Sequence, residues 1–241
     1  TTDKLIEMNL SFPIPDYSER DRRLIRMYEP FGVGAFTIKP YLMDHSAFQA
    51  AAFEIRCEGK TVIYTGDFRG HGRRREYLER FLREAPKEAD LLLIEGTTLG
   101  RRGETERSEE ALETEFKKRI EAGEGIVLCQ PSSQNIDRII SFYNAAKACE
   151  KIFVMDIYTA SILNELKRLG HKGLPVPSFL RPDVRVFHPL LLSKKMDKLL
   201  GKKYARRFRE YGITEKMIGR KQSQIVMLIR PSVLTDLKKM K

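Results

Sequence analysis

The first part of the chain alternates apolar and polar positions as strands do. The apolar segment Ala35–Met43 predicts a strand that is interrupted at Pro40. Residues 53–57 alternate with a period of two, a Glu-Gly-Lys turn follows at 58–60, and residues 62–64 are apolar again. This order predicts a β-hairpin.

Two further elements complete this part. Apolar residues recur at helical spacing in Glu76–Glu84, which predicts a helix. Leu91–Ile94 is a short continuous apolar run, as expected for a strand buried on both faces. Glycine and arginine cluster between Gly96 and Gly103, and we place a domain boundary there.

Beyond this boundary, predicted strands and helices alternate. The predicted strands are Ile126–Cys129, Ile152–Met155, Val184–Phe187 and Gln224–Ile229. One predicted helix follows Ser108 and ends at Gly123, and a second begins at a cap on Ser132 or Ser133. Two further predicted helices cover Thr159–Leu169 and Lys194–Tyr211. A last helix is predicted to open at Arg230-Pro231-Ser232. The alternation indicates βαβ units and a parallel sheet, so the fold class is α/β.

Charge is distributed unevenly along the 241 residues. The formal net charge is +11, and residues 193–241 hold 15 Lys or Arg against 4 Asp or Glu, so the whole excess lies there. A local basic excess attracts a polyanion such as nucleic acid through counterion release. A solvated lysine-rich face, or contacts with an acidic partner, would leave the same composition. The three cysteines match no zinc motif and indicate free thiols in a reducing cytoplasm.

Two strand ends carry side chains that bind metals. His45 follows the first predicted strand in a Asp-His-Ser segment, and Asp67 follows the hairpin in Thr-Gly-Asp. A histidine and a carboxylate delivered to one sheet edge supply two ligands of a divalent metal site, and a carboxylate can bridge two ions. The alternative is that Asp67 forms a turn and that His45 has a structural hydrogen bond.

A second candidate site lies at the start of a predicted helix. Ser132 and Ser133 precede it, and free backbone N–H groups at a helix N-terminus hold phosphate. Arg138 is predicted to add a phosphate contact. The alternative is that the two serines only cap the helix.

Three segments in order resemble a known family. The run YLMDHSAFQAAAFEIRCEGKTVIYTGDFRGHGRR, the segment LLLIEGTTLG and the stretch GIVLCQPSSQNIDRIISFYNAAKACEKIFVMDIYTASILNEL resemble metallo-β-lactamase-fold hydrolases of the β-CASP, ribonuclease J-like branch. The resemblance implies two zinc ions, with His45 as a ligand, Asp67 as the bridging ligand and Glu95 orienting a metal-ligating histidine. It also implies a partial αββα sandwich over residues 1–98 and a β-CASP-like α/β domain over residues 99–241.

The sequence departs from that family in its histidines. The signature HxHxDH is absent, the chain has four histidines, and none of them precedes His45. We therefore expect either an internal piece of a longer zinc-dependent nuclease that acts on nucleic acid, with RNA the expected substrate, or a degenerate paralogue. The alternative function is a non-catalytic nucleic-acid-binding or interaction subunit. An incomplete sandwich exposes a sheet face, so we expect a homo-oligomer or further chain segments to cover it.

Overall fold

The computed structural model describes residues 23–97, 99, 107–168 and 175–230. The chain divides into two compact units, one ending at Glu109 and the next beginning at Glu110. Within the described residues, no helix has the length and apolar character that a membrane span needs. The domain limits 1–98 and 99–241 stay a prediction.

The first unit is a five-stranded sheet in the order β1-β2-β3-β4-β5. Its strands are β1 (Phe31–Val33), β2 (Phe36–Leu42), β3 (Ala51–Cys57), β4 (Lys60–Tyr64) and β5 (Leu91–Leu93). The helix α1 (Arg75–Glu84) connects β4 to β5. The first four strands pair antiparallel, whereas β5 is parallel to β4. The apolar core of this unit consists of Tyr41, Met43, Ala52, Ile63 and Phe81.

The predicted hairpin is confirmed as β3 and β4. Its two-residue turn is Glu58-Gly59, with φ of 49° and 74°, the left-handed values that a tight hairpin turn needs. The predicted interruption at Pro40 is wrong, because β2 continues through it and pairs Pro40 with Phe53. The carbonyl of Pro40 accepts from Tyr28 N at 2.7 Å, so the nitrogen that lacks a hydrogen faces the side away from β3.

The prediction that Leu91–Ile94 is buried on both faces is wrong for the described chain. β5 lies at the edge of the sheet, and its three leucines and Ile94 are between 46% and 60% exposed. A parallel strand between two neighbours is buried on both faces, whereas among the described strands β5 pairs with β4 alone.

The second unit is a five-stranded, wholly parallel sheet in the order β6-β10-β7-β8-β9, which confirms the predicted parallel sheet. Its strands are β6 (Val127–Cys129), β7 (Ile152–Asp156), β8 (Val184–Phe187), β9 (Gly212–Ile213) and β10 (Ile225–Leu228). Its helices include α2 (Glu109–Glu121), whose first residue belongs to the first unit, α3 (Ile136–Ala148), α4 (Ile157–Arg168), α5 (Leu190–Leu200), α6 (Lys202–Arg209) and α7 (Glu215–Arg220). A short 3₁₀ helix, Gln222–Gln224, precedes β10.

Two helix limits differ from the predicted ones. The single helix predicted over Lys194–Tyr211 is two helices, because Gly201 has φ of 78° and ends α5. The cap of α3 is Asn135, whose side chain accepts from Arg138 N, and neither serine caps the helix. The predicted end of the helix at Leu169 and the predicted last helix from Pro231 lie outside the described residues.

Candidate functional site

Three strand ends meet at one edge of the first sheet. β2 and β4 are each antiparallel to β3 and therefore run in the same direction, and β5 is parallel to β4. Their carboxyl ends consequently lie at the same edge. His45 follows β2, Asp67 follows β4 and Glu95 follows β5.

The side chains of His45 and Asp67 face each other. His45 Nε2 lies 3.9 Å from Asp67 Oδ2, with the histidine side chain 26% and the aspartate side chain 69% exposed. Asp67 is thus open to a ligand, and the histidine is held close to it.

Two hydrogen bonds stabilise the ionised form of Glu95. It accepts from the Thr97 hydroxyl at 2.6 Å and from Phe68 N at 2.5 Å. These two donors, and to a smaller degree the charge of His45, lower the pKa of Glu95 below its ordinary value. The contact with Phe68 also ties the loop after β4 to the end of β5, so Glu95 positions the segment that carries Asp67.

A cluster of largely buried charged side chains contacts the loop that follows β4. Asp44 is fully buried and accepts from Gly72 N at 2.8 Å, and the main-chain N–H of Arg69 donates to its carbonyl at 2.7 Å. The Arg69 guanidinium lies 3.5 Å from the carboxylate of Asp44 and 3.4 Å from that of Glu109. The sequence predicted no role for Asp44, and its signal was only its place directly after the apolar segment Ala35–Met43.

Gly66 sets the turn that presents Asp67. Its φ is 56°, and a Cβ at this position would lie 2.9 Å from the carbonyl oxygen of Ala51. Thr65 N donates to Leu93 O at 3.0 Å, so the turn begins while the chain is still paired with β5. Only glycine meets both conditions without strain.

The donor types at this edge fit zinc, but their number does not complete a site. A histidine nitrogen and a carboxylate oxygen are zinc ligands, and a zinc site takes three or four from the protein. Within the described residues, no group of three His, Cys, Asp or Glu side chains could hold a metal. In addition, Ala47 N donates to His45 Nδ1 at 3.1 Å, which leaves the hydrogen of a neutral ring on Nε2. Zinc binding at Nε2 therefore requires this contact to be given up.

The second unit has a pocket of about 580 Å³ at the carboxyl ends of its parallel strands, the edge where open α/β sheets bind ligands. Its lining residues come from the loop after β6, the start of α4 and the end of β10: Gln130, Pro131, Ser132, Ser133, Gln134, Tyr158 and Arg230. Burial raises the pKa of Tyr158, so its hydroxyl stays neutral and able to donate.

Asp156 organises the cationic side of this pocket. Its Oδ2 lies 2.8 Å from Nε and 2.6 Å from Nη2 of Arg230, while its Oδ1 accepts from Thr159 N at 2.8 Å. The guanidinium carbon of Arg230 lies 4.8 Å from the ring centre of Tyr158. Arg230 is therefore oriented by a buried carboxylate and an aromatic face. The sequence did not single out Arg230 as a site residue, although a charged residue after an apolar strand was its signal.

The three residues predicted to contact phosphate do not all reach this pocket. Ser132 and Ser133 line it, and Ser133 Oγ lies 3.1 Å from the Thr159 hydroxyl, which donates to it. Arg138 is not among the lining residues, and its guanidinium carbon lies 6.0 Å from the ring centre of Phe116. Their contact with phosphate stays a prediction.

Comparisons with known proteins give a distant likeness. No protein-family model matches the chain. Ribonuclease J from Helicobacter pylori, strain ATCC 700392 / 26695, is 27% identical over 165 residues, which are 66% of this chain and 24% of that protein. Ribonuclease J from strains B128 and J99 matches to the same extent. The chain thus spans about a quarter of the length of these relatives.

A solved structure shares the fold. The crystal structure of a protein of unknown function from Enterococcus faecalis V583 has a TM-score of 0.67 and 20% sequence identity, covering 94% of this chain and 51% of that one. The chain is therefore a mixed α/β protein that is similar in fold to this structure and similar in sequence, at a distance, to ribonuclease J.

Proposed function

We propose that this chain is part of a metal-dependent phosphodiesterase that hydrolyses nucleic acid, with RNA as its substrate. The observation that carries the proposal is the meeting of His45, Asp67 and Glu95 at one sheet edge, with 3.9 Å between the first two. The likeness to ribonuclease J over 66% of the chain supports the same substrate class.

Each of the three residues has a separate role in this proposal. Asp67 and His45 are the donors that this chain offers to zinc, and the remaining donors come from outside the described residues. Zinc, when bound, supplies an activated water and stabilises charge on a phosphoryl group. Glu95 accepts from the main-chain N–H of Phe68 and so keeps the Asp67 loop in place, and its carboxylate would orient a metal-ligating histidine.

The pocket of the second unit is proposed to hold a phosphate of the substrate strand. Arg230 is oriented by Asp156, and Ser132 and Ser133 add hydroxyl groups from the loop before α3. An arginine with a fixed plane and neighbouring hydroxyls matches the oxygens of a phosphate. Arg138 does not line this pocket, so its substitution serves as a comparison for those of Arg230 and the two serines.

One observation favours the alternative of a non-catalytic nucleic-acid-binding subunit. Within the described part of the chain, the donors at the sheet edge are fewer than zinc requires. A protein that kept the phosphate pocket without a complete metal site would bind the strand and leave it intact.

The experiment measures zinc content and hydrolysis of a labelled oligo(U) for the full chain and for His45→Ala and Asp67→Asn. Glu58→Gln, an exposed carboxylate in the hairpin turn, is the matched control. Under the enzyme proposal, each of the two variants loses bound zinc and lowers hydrolysis at least a hundredfold, and the control does neither. Zinc content and hydrolysis that are unchanged in both variants would reject the assignment. RNA binding by all proteins without hydrolysis by any supports the binding subunit instead.

A further inference from the structure

The helices α5 and α6 present a strongly basic face to solvent. Their buried sides carry Met196, Ala205 and Phe208, each no more than 1% exposed. The exposed positions are almost all cationic: Lys194, Lys195, Lys198, Lys202, Lys203, Arg206, Arg207 and Arg209. The two helices contain one carboxylate, Asp197, and its Oδ2 lies 2.5 Å from Nη2 of Arg209, which joins α6 to α5. We call this surface the basic helix pair.

The charges of the basic helix pair are not arranged to stabilise a helix. Lys202 and Arg206, and likewise Lys203 and Arg207, are four residues apart, and like charges at this spacing destabilise a helix. The helix α2 has the opposite arrangement, with Arg119 paired to Glu115 at 2.7 Å and Lys117 to Glu121 at 3.7 Å. The mixed charges of α2 show that an exposed helix face can be solvated by side chains of both signs. Solvation therefore does not explain why the basic helix pair carries charges of one sign.

We propose that the basic helix pair binds the sugar-phosphate backbone of a single-stranded nucleic acid, without reading its bases. On α6, every described exposed side chain is Lys or Arg, which favours a polyanion over a protein partner, whose interface would contain an apolar centre. The inference rests on the proposed function, since it assigns a second contact region for the same RNA substrate. It uses no residue of the metal-binding edge or of the phosphate pocket.

The test compares two variants with the same loss of charge. One replaces Lys202, Lys203, Arg206 and Arg207 with Gln. The control replaces four exposed cations elsewhere in the same unit with Gln, namely Lys117, Lys118, Arg119 and Lys147. Binding of oligo(U) is measured at several salt concentrations in EDTA, so that hydrolysis does not contribute and binding is read whether or not the chain is an enzyme.

The variant of α6 is expected to bind oligo(U) at least tenfold more weakly. The slope of log K against log salt should fall by up to about 2.8, or about 0.7 for each phosphate contact that is lost. The control should keep the affinity and slope of the parent. Equal losses in both variants would mean that net charge alone acts, and no loss in the α6 variant would mean that the helix makes no contact. Either result overturns the proposal.

Two further measurements keep the test decisive. If circular dichroism shows that the fourfold variant is unfolded, Lys194→Gln with Lys198→Gln on α5 replaces it, with an expected fall in slope of about 1.4. Polyglutamate of matched length serves as a second polyanion. Binding of polyglutamate as tight as that of oligo(U), with the same dependence on α6, would overturn the assignment to nucleic acid in favour of an acidic protein.

Discussion

His45 Nε2 and Asp67 Oδ2 lie 3.9 Å apart although their strands, β2 and β4, are not neighbours in the sheet. β3 lies between them and pairs Leu42 with Ala51 on one side and Phe53 with Tyr64 on the other. A slip of one residue in either ladder would turn a side chain to the opposite face and separate the two groups. The contact therefore depends on the register of three strands and on the turn that follows β4.

We expect a side chain at position 66 to destabilise the turn that follows β4. Gly34 has nearly the same φ, 57° against 56°, but a Cβ there would meet nothing within 4 Å, so Gly34→Ala is the control. Gly34→Ala should lower the free energy of unfolding by about 1 kcal/mol through backbone strain. Gly66→Ala should lower it by about 1–3 kcal/mol more, because its Cβ meets the carbonyl of Ala51. Urea denaturation measures both, and equal losses would contradict the close approach.

Asp44 is predicted to be a main support of the loop that carries Asp67. Asp44→Ala removes the acceptor of Gly72 N and the carboxylate that lies 3.5 Å from the Arg69 guanidinium. Because these charges are buried, we expect a loss of about 3–5 kcal/mol in the free energy of unfolding. Glu79→Gln, which breaks an exposed 3.8 Å pair with Arg75, should change it by less than about 1 kcal/mol. A loss of similar size in both variants would show that the Asp44 cluster contributes no more than a surface pair.

We expect substitutions in and near the pocket lined by Ser133 and Arg230 to weaken RNA binding to different degrees. Arg230→Gln should weaken oligo(U) binding by about 10- to 100-fold, since it removes a charge-assisted contact, and Ser133→Ala should weaken it less. Arg138→Gln should change it little, because its guanidinium lies near Phe116. Arg230→Lys separates charge from geometry, as it keeps the cation but loses the planar fork.

The reverse order of effects on binding would place the phosphate contact outside this pocket. If Arg138→Gln weakens binding more than Arg230→Gln, the phosphate contact lies at the outer face of α3 and not in the pocket. Thermal unfolding of Arg230→Gln is the accompanying control, because this change also leaves the buried Asp156 without its cation.

Glu95 is expected to contribute to stability in a pH-dependent way. Its pKa is lowered in the folded chain, chiefly by the Thr97 hydroxyl and the Phe68 N–H. The unfolded chain therefore takes up the proton first as the pH falls, so the contribution is present above the ordinary value of 4.5 and is lost below it. Glu95→Gln should show a smaller fall in the thermal midpoint between pH 6 and about pH 3 than the parent. A parent and variant with parallel pH profiles would contradict this, and Glu58→Gln serves as the charge-matched control.

Local patterns predicted the elements that depend on neighbours in the chain. The β3–β4 hairpin follows from its alternation and its Glu-Gly turn, and β8 has the predicted limits Val184–Phe187. The break at Gly201 was present in the sequence as a glycine between two basic segments, but helical spacing continues across it. Periodicity alone therefore predicted one helix where backbone conformation makes two.

The sequence by itself determined the α/β class, the parallel sheet of the second unit, and the positions of His45, Asp67 and Glu95 directly after apolar strands, because each depends on short-range periodicity and residue type. The tertiary structure alone decided that β5 is an exposed edge strand within the described part of the chain, that Arg230 enters the pocket while Arg138 turns to Phe116, and that His45 Nε2 lies 3.9 Å from Asp67 Oδ2. These facts depend on which strands become neighbours and in which register. That is settled by the packing of residues far apart in the chain, which no local pattern contains.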